Sequence, residues 1–421
     1  MDKFIVEGGV RLKGTVEISG AKNAALPILA ATLLTEDKCV IKNVPPLRDV
    51  YTMLRILRAL GVRVDMEDGV VVVHPNGYRN FQAPYKLVST MRASVCVLGP
   101  ILAKLRHAEV SMPGGCVIGP RPIDLHIKGL KALGADIKIE HGYIIADAKN
   151  LTGGRVYLGG KFGSSVLATG NVMMAATLAR GKTIIENAAC EPEVCDLAEF
   201  LIKMGAKIKG QRTPIVEIEG VKSLHGAEYS IINDRIEAGT FMIASAITGG
   251  DVLIKGANIE HLGAVIDKLK EAGVKITNAK DGLRVTKTGF IRPVDVTTLP
   301  YPGFPTDMQA QMTALMCMTK GISVITEKIY PERFMHISEL ARMGAHIILE
   351  GSSAIVKGVP RLSAAPVMAS DLRASAGLVL AALVAKGDTE ISRIYHLDRG
   401  YHNIEEKLGK LGVKIRREKE D

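Results

Sequence analysis

The sequence predicts an α/β fold made of one supersecondary unit repeated six times. Three observations carry this: a recurring helix-end signature, a helix of interior type ahead of each copy, and strand-like segments on either side of it. The signature is Leu-x-x-(Leu/Met/Ala)-Gly-(Val/Ala)-x-(Ile/Val), with its glycine at Gly61, Gly134, Gly205, Gly273, Gly344 and Gly412, at intervals of 68 to 73 residues. A leucine stands four residues before each glycine (Leu57, Leu130, Leu201, Leu269, Leu340, Leu408), and a β-branched residue three after it (Val64, Ile137, Ile208, Ile276, Ile347, Ile415). The chemistry is local. A helix buries its leucine, the glycine takes the left-handed conformation that ends the helix, and a strand with alternating side chains begins at once. Chance supplies one or two such matches; six in register are a repeat.

The elements between the glycines follow in order. Each unit opens with a nearly uncharged helix that is apolar on all sides, at 23–34, 92–102, 166–179, 236–248, 308–318 and 372–385. Such a helix belongs in an interior. A short strand follows, at 39–42, 108–112, 183–186, 251–255, 323–327 and 389–393, then a loop, then the amphipathic helix that ends at the glycine. Each unit therefore reads α-β-α-β-β. The opening segment from Phe4 to Val16 resembles the strand pairs that close other units, such as Ile355-Val-Lys-Gly-Val-Pro-Arg-Leu362. The unit ending at Ile415 lacks such a pair, so residues 1–21 are expected to complete it. Three units per domain is the simplest division: 22–231 in one domain, 1–21 with 232–421 in the other.

Composition narrows the class. A chain of 421 residues at 47% hydrophobic content can bury two sizeable cores. Its longest apolar runs fall well short of the roughly 20 residues that span a bilayer. The charged amino terminus does not suit a secretory signal. Six cysteines without paired spacing suit a reducing compartment, so the cytoplasm is the expected location. For Cys39, Cys96, Cys190, Cys195 and Cys317 the expected role is that of small buried hydrophobes. The net charge of +10 invites a nucleic-acid partner, yet aromatics stand at 4% without a single Trp and the basic residues are dispersed. A small polyanion fits better.

The charges concentrate at the amino-terminal ends of the interior helices: Lys22 and Asn23, Arg92, Lys161 before Ser164 and Ser165, Asp234 and Arg235, Thr306 and Asp307, Asp371 and Arg373. If two domains oppose each other, six such ends offer unsatisfied N–H groups and partial positive charge to an anion. Thr306, Ser165 and in part Asp371 read as ordinary helix caps. Lys22, Arg92 and Arg373 do not, because a cation at a helix amino terminus needs a compensating negative group, for which a ligand is favoured over a local ion pair. Three loops add chemistry. Pro113-Gly-Gly-Cys116 through Gly119 to His126 sets a thiol in a glycine-freed, arginine-flanked segment that can lower its pKa. His126 on its own reads as a surface or capping histidine. Tyr301-Pro-Gly-Phe-Pro-Thr-Asp307 delivers a carboxylate to a helix start, where it can serve as a base or bind a hydroxyl. Asp398-Arg-Gly-Tyr-His402 carries an arginine on a freed loop.

These residues, with Ser19-Gly-Ala-Lys-Asn-Ala-Ala-Leu-Pro27, Met91-Arg-Ala-Ser94, Arg333-Phe-Met-His336 and Asp371-Leu-Arg-Ala-Ser375, resemble the UDP-N-acetylglucosamine 1-carboxyvinyltransferase family of enolpyruvyl transferases over essentially the whole length. The resemblance implies a pair of inside-out α/β barrels, each of three repeats around buried helices. It implies transfer of the enolpyruvyl group of phosphoenolpyruvate to the 3-hydroxyl of UDP-N-acetylglucosamine with release of phosphate, the opening step of peptidoglycan synthesis. Carried over residue by residue, it assigns Lys22, Arg121 and Arg399 to the phosphate of phosphoenolpyruvate, Arg92 to the same anion site, and Arg373, with Asp371, to the region of its carboxylate. Asp307 meets the attacking hydroxyl and Asn23 the sugar. The stretch Arg121, Pro122, Ile123, Asp124, Leu125 and His126, together with Arg92, Lys161 and Ile329, meets the UDP-sugar. Cys116 is the loop thiol that protonates C3 or governs product release, and the one fosfomycin alkylates. No cofactor and no metal is implied, and the partners are the two small-molecule substrates, with no nucleic acid or membrane and at most weak self-association. The chain departs from the family in carrying Pro331 at a frequent carboxylate position, Cys96 at a frequent tryptophan, and a longer segment at 161–169. A 5-enolpyruvylshikimate-3-phosphate synthase of the same fold, and a non-catalytic repeat scaffold that binds nucleic acid, stand as the alternatives.

Overall fold

The computed structural model describes residues 2–114, 123–287 and 289–420. The six signatures are six helix ends of one geometry. The glycines have φ of +95°, +89°, +100°, +95°, +89° and +99° in chain order, a conformation an L side chain resists. At the first, Val62 N donates to Leu57 O and Gly61 N to Arg58 O, both at 3.0 Å. This pair of bonds is the Schellman closure, which satisfies carbonyls that the helix itself leaves open. The same pair recurs at Gly134, Gly205, Gly344 and Gly412. The six signature leucines are 0–1% exposed, each contributing roughly 1.5–3 kcal/mol by burial.

The interior helices are Lys22–Ala31, Leu98–Leu105, Val166–Ala176, Arg235–Thr248, Gln309–Met316 and Leu372–Ala382. Their residues are buried almost throughout, as all-round apolarity requires. Two of them begin differently from the reading above: 3₁₀ turns, Arg92–Val97 and Thr306–Met308, lead into the second and fifth.

Among the described residues, six four-stranded sheets share one strand order. In the sheet of the first repeat, Cys39–Lys42 pairs antiparallel with Val70–His74, which pairs antiparallel with Arg63–Glu67, and Glu228–Ser230 adds a parallel edge. That edge strand was not foreseen. Each sheet has one, at 13–17, 82–83, 155–157, 228–230, 296–297 and 367–368; four of them precede the interior helix of the repeat whose sheet they join, whereas 13–17, ahead of the first interior helix, joins the sheet of the fourth repeat, and 228–230, ahead of the fourth, joins that of the first. Most are two or three residues long, too short to show a period of two. They do the closing: the edge at 228–230, from the end of the third repeat, lies beside Cys39–Lys42 of the first. At the amino terminus, Asp2–Glu7 lies between Asp388–Ser392 and Ile415–Lys419, while Lys13–Glu17 runs parallel to Asp251–Lys255.

The described residues form two compact units, 20–114 with 123–232 and 2–19 with 233–287 and 289–420, each with its own apolar core. Among the described residues no helix is long and apolar enough to cross a membrane. Cys39, Cys96 and Cys317 are buried as expected, but Cys190 and Cys195 are only half-buried. Burial pushes the thiols of Cys96 and Cys317 up to about 12, which makes them poor nucleophiles.

Candidate functional site

In the unit that holds both termini, the loop at 301–306 runs into the turn that presents Asp307. Its Oδ1 accepts from Arg333 Nη1 at 2.8 Å and its Oδ2 from Arg373 Nη2 at 3.0 Å. The arginine side chains are 7% and 2% exposed, whereas Asp307 keeps 27%. The carboxylate is thus the part of the cluster that solvent reaches. Burial opposes its ionisation, but the charges of Arg373 and then Arg333 outweigh burial and hold the carboxyl well below the usual carboxylate range.

Arg373 is the second residue of its helix and is capped from behind. Asp371 Oδ1 accepts from the backbone N–H groups of Arg373 at 2.7 Å and Ala374 at 3.1 Å. The guanidinium lies 5.4 Å from the centroid of the Tyr401 ring, whose hydroxyl is 2.8 Å from Thr240 Oγ1. Its Nε and Nη1 are buried and make no hydrogen bond of good geometry among the described residues, although the Tyr401 hydroxyl is close enough to favour the charged guanidinium. A buried charged donor left unsatisfied is costly, and a planar guanidinium with two open N–H groups is shaped for a carboxylate or phosphate. Nearby, His336 is buried with Nε2 unpartnered among the described residues. Burial pushes its imidazole down to about 4, with the Asp371 charge opposing and Arg333 assisting, so it is neutral at pH 7.

Thr306 is not the cap it resembled. Its hydroxyl is engaged by Glu327 and Arg333, and the turn it opens has no side-chain cap. Arg399 is half-buried at the end of the 3₁₀ segment Ile394–Arg399, and the adjacent Asp398 is held by both terminal nitrogens of Arg417 at 2.7 and 3.0 Å. Ile329 is half-buried, its N–H bound to Glu327 Oε1 at 2.8 Å.

In the other unit, Lys22 opens the first interior helix. Its Nζ is 3.0 Å from Asp49 Oδ2, with side chains 9% and 6% exposed. The negative group beside Lys22, like that beside Arg373, is therefore first of all a protein carboxylate, not only a ligand as the charge argument favoured. Asn23 is half-buried and lines a small pocket with Pro27, Cys96, Val166 and Leu197. His126 is neither a surface nor a capping residue. It is 3% exposed, and burial followed by the Arg92 charge pushes it down to about 3. Its Nδ1 accepts from Asn171 Nδ2 at 3.0 Å, and the same amide donates to Val95 O at 2.8 Å. The imidazole is therefore neutral, with its proton on Nε2. Ser165 does cap its helix, accepting from Ala168 N. Ile123 is buried, Leu125 half-buried and Asp124 exposed, and Lys161 is exposed with Nζ 5.3 Å from the Phe162 ring centroid. Cys116, Arg121 and Pro122 lie outside the described residues.

The sequence model of the EPSP synthase (3-phosphoshikimate 1-carboxyvinyltransferase) family matches residues 6–408. Among curated proteins the chain is 57% identical, over 99% of both chains, to UDP-N-acetylglucosamine 1-carboxyvinyltransferase 1 of Caldanaerobacter subterraneus subsp. tengcongensis. It is 56% identical, again over 99% of both, to UDP-N-acetylglucosamine 1-carboxyvinyltransferase of Methylacidiphilum infernorum. The chain belongs to the UDP-N-acetylglucosamine 1-carboxyvinyltransferase family of enolpyruvyl transferases. Its fold is shared with the enolpyruvyl transferase NikO from Streptomyces tendae, at a TM-score of 0.89 and 24% identity over 99% of this chain and 98% of that one. An EPSP synthase from Acinetobacter baumannii shares the fold at a TM-score of 0.75, with 18% identity over 100% of each chain.

In this member of the enolpyruvyl transferases the sequence motifs bring Asp307 and Arg373 together, yet they leave out the second arginine on the carboxylate. Arg333 was visible only as part of Arg333-Phe-Met-His336. The available signal was its place before Phe334, which is 6% exposed: an arginine carried into the interior by an apolar neighbour needs a carboxylate partner.

Proposed function

We propose that this chain transfers the enolpyruvyl group of phosphoenolpyruvate to the 3-hydroxyl of UDP-N-acetylglucosamine and releases phosphate. One observation carries the chemistry: Arg373, sealed from water with two open N–H groups, stands beside an ionised Asp307 that solvent reaches. Arg373 and Arg333 bind the carboxylate of phosphoenolpyruvate, and Lys22, Arg92, Arg121 and Arg399 bind its phosphate. Asn23, Lys161, Ile329 and the stretch from Arg121 to His126 hold the UDP-sugar. The sugar oxygen attacks C2 while C3 takes a proton, which gives a tetrahedral phospho-ketal. Loss of a proton from C3 then expels phosphate and leaves the enol ether. Fixed cations stabilise the charge that develops on carboxylate and phosphate.

Asp307 orients the hydroxyl and accepts its proton. Held by two arginines it is a weak base, but a substrate carboxylate that engages the same guanidiniums draws off part of their charge and raises its basicity as the substrate arrives. Cys116 supplies the proton to C3 or governs product release. The same reading places the protein in the cytoplasm, without nucleic acid, membrane, metal or cofactor, as a monomer or weak oligomer.

The test is phosphate release on mixing the protein with both substrates. Release that requires UDP-N-acetylglucosamine supports the reading; release with shikimate 3-phosphate in its place overturns it in favour of the shikimate branch of the fold.

A further inference from the structure

Glu327 takes no part in the chemistry above, yet it is a carboxylate with no exposed surface, just past the end of strand Ile322–Thr326. Four donors converge on it. Oε1 accepts from Thr298 Oγ1 at 2.6 Å, Ile329 N at 2.8 Å and Tyr330 N at 3.0 Å. Oε2 accepts from Thr306 Oγ1 at 2.8 Å. A hydroxyl has one proton, and here it is committed to Glu327, so the Thr306 oxygen turns a lone pair outward. That lone pair accepts from Arg333 Nη1 at 3.0 Å, the same nitrogen that reaches Asp307 Oδ1 at 2.8 Å.

We propose that Glu327 is a positioning residue: acting through the Thr306 hydroxyl, it fixes the Arg333 guanidinium against Asp307 before substrate arrives. The inference rests on the reading that Asp307 and Arg333 serve enolpyruvyl transfer. Three chain segments meet at this carboxylate, at 298, 306–307 and 327–333, and one of them carries the acid while another carries the arginine. Without the fixed hydroxyl, Arg333 keeps its bond to Asp307 and the Tyr330 ring 5.9 Å from its guanidinium but loses its second hydrogen-bonded anchor, and a long side chain with one directional anchor samples several geometries.

The test uses the full-length protein and compares Thr306→Ser, Thr306→Val, Arg333→Lys, Glu327→Gln and the double variant Thr306→Val with Arg333→Lys. Phosphate-release kinetics give kcat and the KM for phosphoenolpyruvate, and thermal melting gives stability. Thr306→Ser keeps the hydroxyl and holds kcat within about twofold of the wild type, whereas Thr306→Val lowers it roughly tenfold. On the Arg333→Lys background Thr306→Val costs less than about twofold more, because the two act through one contact. Glu327→Gln follows Thr306→Val in kcat; if it does not fold, the threonine pair alone decides.

Thr306→Ser as slow as Thr306→Val, or a Thr306→Val effect undiminished on the Arg333→Lys background, would overturn the proposal while leaving the functional reading intact. A wild-type protein that releases no phosphate from the two substrates overturns both.

Discussion

Replacing Asp307 by alanine removes the carboxylate that two sealed guanidiniums share, and the structure sets the size of the effect. Each charge-assisted bond it makes, at 2.8 and 3.0 Å, contributes roughly 1.5–3 kcal/mol. Stripping the partner from a fully buried ion pair costs about 3–5 kcal/mol. Asp307 is 27% exposed, so water replaces part of what is lost, and a net cost of about 2–4 kcal/mol follows. At about 2–4 °C per kcal/mol for a domain of this size, the melting temperature falls by about 5–15 °C. The folded-state pKa of Asp307 is depressed, so its stabilisation is present above the unfolded value of about 3.9 and is lost as pH falls below it. The gap between wild type and variant therefore narrows in acid. Turnover falls by about 10²–10⁴ through loss of the hydroxyl acceptor. Binding of phosphoenolpyruvate moves the other way: with Asp307 gone, the arginines have no competing carboxylate, and calorimetric titration gives a dissociation constant about tenfold lower. Turnover within about threefold of wild type, or weaker binding of phosphoenolpyruvate by the variant, would refute the reasoning.

Three further outcomes follow from the same structure. Lys22→Met takes from buried Asp49 the ammonium 3.0 Å away and costs roughly 1.5–3 kcal/mol, the size of one charge-assisted hydrogen bond; the double variant Lys22→Met with Asp49→Leu does not restore turnover, and a double variant with restored turnover would reduce Lys22 to an ion-pair partner. Gly344→Ala places a Cβ where nothing lies within 4 Å, but at φ +89°, so urea denaturation should show a loss of about 1–2 kcal/mol from backbone strain alone. An unchanged midpoint would count against the left-handed closure as the reason for that glycine. Cys116→Ser depresses turnover severely and abolishes alkylation by fosfomycin, read by intact-protein mass; alkylation that persists at another thiol would remove Cys116 from its assigned role.

The repeat was legible because its signature is a complete local device. Leucine, glycine and the small apolar residue after it are the three positions a Schellman closure constrains, so six copies of the closure leave six copies of the pattern. The edge strands left no such trace, since Gln82–Ala83 or Val296–Thr297 owes its conformation to a neighbouring sheet and not to its own alternation. The residue types at helix starts singled out Asp307 and Arg373, which the structure brings into contact. What the chain could not disclose is pairing across elements. Asp49 answers Lys22 from the following helix, Arg333 reaches Asp307 from a loop beyond the next strand, and His126, on an amphipathic helix, is drawn inward by Asn171 on an interior helix. Each partnership is fixed by packing, which single-sequence spacing does not record.

The most direct measurement is the identity of the product. With phosphoenolpyruvate labelled with carbon-13 at C2 and unlabelled UDP-N-acetylglucosamine, nuclear magnetic resonance should show the label in an enol ether carbon bonded to the sugar 3-oxygen, with inorganic phosphate released in equal amount. Label that stays in phosphoenolpyruvate, or appears as pyruvate or on a different acceptor, would contradict the account.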